Sequence, residues 1–265
     1  MDKVWILGAS GSVSVSGRHR MKYGGATTSV LVKLDGHYIL LDAGTGIMNL
    51  PAEVLEEPAI ELLLTHFHLD HLIGLPLCPY LMNSEHCLTV YAGRHEGLEA
   101  RDALSRLFTP PFWPVTLEQL PAKVCYEPLT EHCIMDTVRV DVLPGDHPNG
   151  VNLLRLTGMR HSVVLATDCT LTPELLPITK DFAQGCDLLL VDGQYSAAEW
   201  ENRSHFGHNA WRAAAELARD CGAKRLRIVH HDPSHSDVQL DEAEREVREV
   251  VPMGRMAREG EEVLL

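Results

Sequence analysis

Residues 65–71 read Thr-His-Phe-His-Leu-Asp-His and pack four metal-binding side chains, His66, His68, Asp70 and His71, into a single short stretch. They follow the apolar run Ile60 to Leu64, which reads as a buried strand over 60–65. The cluster therefore falls at the end of a sheet strand, where open sites form. Alternate residues of an extended segment point the same way, so His66 and His68 can grip one ion together. Asp70 and His71, past the turn, can face a second. Imidazole and carboxylate suit zinc, iron and manganese. A histidine-rich surface loop without metal is the poorer account of this spacing.

Three further residues occupy equivalent places. His147, in Pro-Gly-Asp-His-Pro-Asn-Gly, follows a strand over 138–143. Asp168 follows a strand over 162–167, and His230 ends one over 226–230. The alternation Leu226, Ile228, His230 favours His230 over its rival His231. His231, Asp232 and His235 are then candidates to orient ligands or, less favoured, to hold a third ion.

These positions need a scaffold of strands. Apolar, β-branched runs predict strands at 3–7, 29–34, 37–42, 60–65, 87–91, 138–143, 151–157, 162–167, 187–192 and 226–230. Asp35-Gly36 is a hairpin turn between the second and third, and 158–161 separates 151–157 from 162–167. Helical periodicity is clearest at 209–221, with Ala210, Ala213, Ala214, Leu217, Ala218 and Cys221 on one face and Gly222 as the stop. A last helix is expected over 238–250 with Asp237 as its N-cap. The segment 93–122 holds a helical stretch and Thr-Pro-Pro-Phe-Trp-Pro, and reads as a cap inserted into a single domain spanning 1–265, with a peripheral packing or dimer role as the alternative. Strands alternating with helices, flanked by meanders, predict an α/β fold with two sheets.

Net charge is −14 and 45% of the 265 residues are hydrophobic, enough for one large core. So acidic a surface disfavours long nucleic acid, yet bound metals would reverse the sign locally and admit a small anionic substrate. The start, Met1-Asp2-Lys3-Val4-Trp5-Ile6-Leu7, reads as a strand rather than a signal peptide, and no stretch is long and apolar enough to span a bilayer. Seven cysteines without a C-x-x-C pair suit reduced thiols and a cytoplasmic location. A homodimer is compatible with all of this.

The pattern His66-x-His68-x-Asp70-His71 resembles the signature of the metallo-β-lactamase superfamily. That resemblance implies an αββα four-layer sandwich with a dinuclear site between its sheets, holding two divalent ions, Zn2+ or Mn2+. It implies that His147 completes the first site with His66 and His68, that His230 completes the second with Asp70 and His71, and that Asp168 bridges. Two more segments, Gly8-Ala-Ser-Gly-Ser12 followed by Tyr23-Gly-Gly-Ala-Thr-Thr-Ser29 and leading to Leu41-Asp-Ala-Gly-Thr-Gly46, and Asp192-Gly-Gln-Tyr195 leading to Ser204-His-Phe-Gly-His208-Asn209 and on to His230-His-Asp-Pro233, resemble the phosphodiesterase branch. That branch holds ribonuclease Z and the phosphoribosyl-cyclic-phosphate and cyclic-nucleotide phosphodiesterases. His208 then matches a catalytic histidine and Asp192 the acidic residue that orients it, with His205 as the second candidate.

The expected activity is hydrolysis of a small phosphodiester, cyclic esters included, by a hydroxide shared between two ions, with His208 protonating the departing oxygen and Asp70 holding the nucleophile's proton. The alternative is carboxylic ester, thioester or lactone hydrolysis at the same ions, with Phe108, Phe112 and Trp113 forming an acyl pocket. Transfer-RNA processing and a non-catalytic carrier role are less favoured.

Overall fold

The computed structural model describes residues 1–265. Two seven-stranded sheets lie face to face. The first takes β1 (Lys3–Gly8), β2 (Ser29–Leu34), β3 (His37–Leu41), β4 (Ala59–Leu64), β5 (Cys87–Ala92), β6 (Lys123–Pro128) and, from the far end of the chain, β14 (Glu261–Leu264). The second takes β7 (His132–Met135), β8 (Val138–Gly145), β9 (Val151–Thr157), β10 (Ser162–Ala166), β11 (Leu188–Asp192), β12 (Leu226–Val229) and β13 (Gly254–Met256). In each sheet the meander is antiparallel, and the strands from β3 to β6 and from β10 to β13 run parallel.

Alternation along the strands sorts the apolar residues into three layers. Val30, Val32, Ile39 and Leu41 meet Leu154, Leu156, Val163 and Leu165 between the sheets. Leu31, Leu40, Leu62 and Val90 face outward under α1 (Ala100–Leu107) and a set of 3-10 turns. Val164, Leu189, Val191 and Ile228 face outward under α4 (Trp211–Asp220) and α5 (Asp237–Val250). The four-layer αββα architecture follows directly.

Several expectations are corrected in detail. Ser236, not Asp237, caps α5: its hydroxyl accepts from the Gln239 N–H and the Gln239 side chain returns to the Ser236 N–H, a reciprocal capping box. On α4 the buried face carries Trp211 and Ala215, while Ala213 is exposed. Strands β6, β7, β13 and β14, and helices α2 (Leu175–Phe182) and α3 (Ala197–Arg203), have no counterpart in the sequence reading. β6 and β7 are half-exposed edges, β13 has three residues, α2 contains Pro177, and α3 buries none of its residues. None carries the apolar period that marks a buried element.

Residues 93–122 form the crossover from β5 to β6. Leu104, Phe108, Leu117 and Ala122 pack into the outer cluster of the first sheet, with Trp113 against it, while Phe112 stays exposed. Phe108 and Trp113 are thus committed to packing rather than to an acyl pocket.

Candidate metal centre

The site is built from chain reversals at strand ends. After β4 the chain bends at Thr65, and His68, in extended backbone, leads into a single 3-10 turn, Leu69–His71. His147 follows β8, Asp168 follows β10 and His230 follows β12. Asp168 and His230 both adopt left-handed backbone, at φ 52° and 62°, as does Asp42 directly after β3 at φ 58°. A histidine there is strained, which is common where packing holds a functional side chain in place.

The residues gather into two sets with one member in common. His66, His68, His147 and Asp168 form the first, and Asp70, His71, Asp168 and His230 the second, with ligand atoms in each set within 4.8 Å of one another. Asp168 Oδ2 lies 3.8 Å from His66 Nε2, 3.8 Å from His147 Nε2, 3.3 Å from His71 Nε2 and 3.1 Å from His230 Nε2. One carboxylate oxygen thus stands between four imidazoles, two from each set. His66 Nε2 and His71 Nε2 are buried and have no hydrogen-bond partner in the protein. Buried polar atoms are rarely left so, and divalent cations at the two sets would satisfy both. This donor set fits the ions that the sequence implies.

The outward nitrogens are anchored. His66 Nδ1 contacts Thr65 Oγ1 at 3.0 Å, His71 Nδ1 contacts Asp42 Oδ2 at 2.8 Å, and His147 Nδ1–H donates to the Gly207 carbonyl at 3.1 Å. His68 Nε2 lies 3.3 Å from Asn149 Oδ1, and the Ser12 N–H donates to Asp70 Oδ2 at 2.7 Å. Such contacts set tautomer and ring orientation. Two glycines make room: a Cβ on Gly11 would collide with the His230 ring, and one on Gly207 with His147.

The two sets differ electrostatically. Burial, reinforced by His71, pushes His66 well below its ordinary value, and burial takes His147 down to about 4. Burial also opposes charge on His71 and His230, but Asp168, with Asp70, outweighs it, raising His71 well above its ordinary value and His230 to about 10. Against the opposing effect of burial, His71 and His230 hold the Asp70 carboxyl below the usual carboxylate range, and His230 and His71 do the same for Asp168. The first set offers neutral imidazoles. In the second, carboxylates draw protons onto two imidazoles, which a divalent ion would displace.

A third group adjoins the second set. Asp192 Oδ2 accepts from His208 Nδ1 at 2.6 Å, and the His208 ring stacks on His230 with centroids 4.7 Å apart. The Asp192 carboxylate also accepts from the Asn209 N–H at 3.1 Å. Helix α4 begins only at Trp211, so His208 precedes its first turn. His205 is exposed, packs its ring edge-on against Phe206 and joins none of the clusters.

The idea of a third ion is not supported. His231 Nε2 donates to the Ala257 carbonyl, His235 pairs with Glu199, and Asp232 takes Arg203 and Ser234, so these residues form no cluster of their own. Asp42, Thr65, Ser12 and Asn149 were not foreseen as parts of the site. For Asp42 a signal existed: a carboxylate at the end of an apolar strand, as at Asp168.

Comparison with known proteins agrees with this fold. The profile described as the beta-lactamase superfamily domain matches residues 37–231. A probable metallo-hydrolase, YhfI of Bacillus subtilis, is 23% identical over 86% of this chain and 86% of its own. A ribonuclease Z of Lachnoclostridium phytofermentans is 22% identical over 100% of this chain and 98% of its own. Among solved structures, a diphosphatase from the PhnP family superposes with a TM-score of 0.74 at 18% identity, covering 100% of this chain and 98% of the other.

Proposed function

Since the chain belongs to the metallo-β-lactamase superfamily and is a metallo-hydrolase of that fold, we propose that it hydrolyses a small phosphodiester at a dinuclear metal site. The observation that carries this reading is the Asp192–His208 pair beside two ligand sets joined by Asp168. An ester whose departing oxygen is a poor leaving group needs a proton donor next to the ions, and His208 stands there.

In this reading His66, His68 and His147 hold one ion, Asp70, His71 and His230 hold the other, and Asp168 reaches both. When bound, the ions supply Lewis-acid polarisation of the phosphoryl oxygens and a water of lowered pKa. Asp42 keeps the His71 ring in the tautomer that turns Nε2 inward. Asp70, positioned by the Ser12 N–H, would accept the nucleophile's proton. Asp192 holds His208 through Nδ1, leaving Nε2 to protonate the departing oxygen.

The ribonuclease Z likeness and the PhnP-family likeness both accord with phosphoester chemistry. No helix is long and apolar enough to cross a membrane. With a net charge of −14, a small substrate is favoured over long nucleic acid. The test is metal content by elemental analysis on the sample assayed with bis-p-nitrophenyl phosphate, 2′,3′- and 3′,5′-cyclic nucleotides and p-nitrophenyl acetate. Near two metals per chain with diester turnover is expected. Two metals with turnover of the acetate alone would move the assignment to carboxylic esters.

A further inference from the structure

We propose that the Ser12 hydroxyl is a substrate contact, donating a hydrogen bond to a non-bridging oxygen of the phosphoryl group, and that the buried Gln194 side chain aims it. This rests on the phosphodiesterase reading above and adds to it a side chain that acts on the substrate itself.

The loop after β1 carries Ser12 to the ligand sets. Residues 11–17 read Gly-Ser-Val-Ser-Val-Ser-Gly. Gly11 lies against the His230 ring, and its N–H donates to the His231 carbonyl at 2.9 Å. Ser12 follows in left-handed backbone, at φ 61°, with its N–H on Asp70 Oδ2 at 2.7 Å. Glycine fits that backbone better than serine, and what serine adds is a hydroxyl. The residue is exposed to solvent, although the carboxylate it holds is buried. Gln194 Nε2 donates to Ser12 Oγ at 3.4 Å. Gln194 is 2% exposed, its N–H donates to Asp192 Oδ1 at 3.2 Å, and its Oε1 is buried without a partner. A serine hydroxyl has one proton to give and two lone pairs to receive. With the amide on one lone pair, the proton remains, and no acceptor in the protein takes it.

Ser12 is thus tied to both ends of the proposed reaction. On one side is Asp70, which in that reading takes the nucleophile's proton. On the other, through Gln194, is Asp192, which holds His208. A phosphoryl group attacked at the first and released at the second has Ser12 beside it. Charge gathering on the non-bridging oxygens is best met by donors already in place. Arginines on the flanking segments are committed elsewhere. Arg20 Nη1 donates to the carbonyls of Asp232 and His235 at 3.1 and 2.9 Å, and Arg203 pairs with the Asp232 carboxylate at 3.1 Å. The donor that this loop leaves free is a hydroxyl, and it keeps its proton throughout the reaction.

The experiment uses the zinc- or manganese-loaded full chain, unaltered and as Ser12→Gly, Gln194→Met and the two combined. Each form is measured for metal content by elemental analysis, for kcat and KM on bis-p-nitrophenyl phosphate, and for the Kd of inorganic phosphate by calorimetry. Ser12→Gly keeps the N–H that Asp70 accepts and suits the backbone, so it should still hold two ions. Its kcat should fall roughly 10–100-fold, at or below what loss of one oxyanion donor costs. KM and the phosphate Kd should rise by smaller factors. Gln194→Met should slow the unaltered chain severalfold and change nothing further in the Ser12→Gly chain, because its effect runs through the hydroxyl. Ser12→Asn, which tolerates the same backbone and carries an amide donor, should recover part of the loss. Unchanged kcat and phosphate affinity in a Ser12→Gly protein with two ions overturns the inference. Loss of an ion from that variant overturns it too, since Ser12 would then serve only to support Asp70, and so do additive losses in the combined variant. Absence of diester turnover by the unaltered protein holding two ions would instead sink the phosphodiesterase reading itself, and this inference with it.

Discussion

Asp42 Oδ2 accepts the Nδ1–H of His71 at 2.8 Å, and neither side chain is exposed to solvent. The same carboxylate takes the Thr65 N–H at 2.8 Å and the Thr65 hydroxyl at 2.9 Å, and Thr65 in turn contacts His66 Nδ1. One buried acid therefore orients an imidazole in each ligand set. Asp42→Asn removes the charge and one acceptor while keeping the shape. Metal affinity of the second set should fall about 10–100-fold, with activity falling alongside. Competition with a chromogenic chelator reads the affinity, and an unchanged value would detach Asp42 from the site.

The chelated protein should lose stability as pH rises above neutrality. His230 is raised to about 10, so its contribution is fully present below its ordinary 6.5 and is lost as pH rises towards 10. Asp70 and Asp168 are lowered from 3.8, so their contribution is present above that value and is lost as pH falls below it. Between about pH 4 and 6.5 both persist, while His66 and His147, held below 6.5 by burial, withdraw stability as pH falls through that range. Thermal melts in chelator across pH 4–9 check this; a melting temperature that climbs from pH 6.5 to 9 would refute it.

His208→Ala should retain both metals and slow diester turnover by roughly 10²–10⁴. The loss should be smaller for bis-p-nitrophenyl phosphate than for an alkyl diester, since p-nitrophenolate leaves without a proton. Equal losses on both would assign His208 to substrate positioning instead.

Gly11→Ala should lower occupancy of the second set while sparing the first, because a Cβ there meets the His230 ring. Spectroscopy on cobalt-substituted protein distinguishes one occupied set from two. Two unperturbed sets would show that the neighbouring loop yields at no cost to the site.

How far the molecule could be read from its residues follows from which signals are local. The ligand histidines were legible because His66, His68 and His71 sit together and because His147, Asp168 and His230 each close an apolar run. The ten principal strands were legible because burial on both faces makes continuous apolar segments and burial on one face makes alternating ones. β6 and β7 were not, since a half-exposed edge strand such as Lys123–Pro128 carries no such run. α3 was not, because its stabilisation is polar: the Ser196 capping box and the Glu199–His235 contact at 2.9 Å. Asp42's role depends on His71 lying beside it across 29 residues of chain, a pairing that only the finished fold creates.

Each ligand set draws from both sheets. His66 and His68 extend from the first sheet and His147 from the second, and Asp70 and His71 likewise face His230. A cation in either set is thus a clasp across the sandwich, tying its two halves at one edge while the interior apolar layer ties them along their faces. Chelation would unfasten that edge, so protease resistance should report metal loading even when no substrate is present.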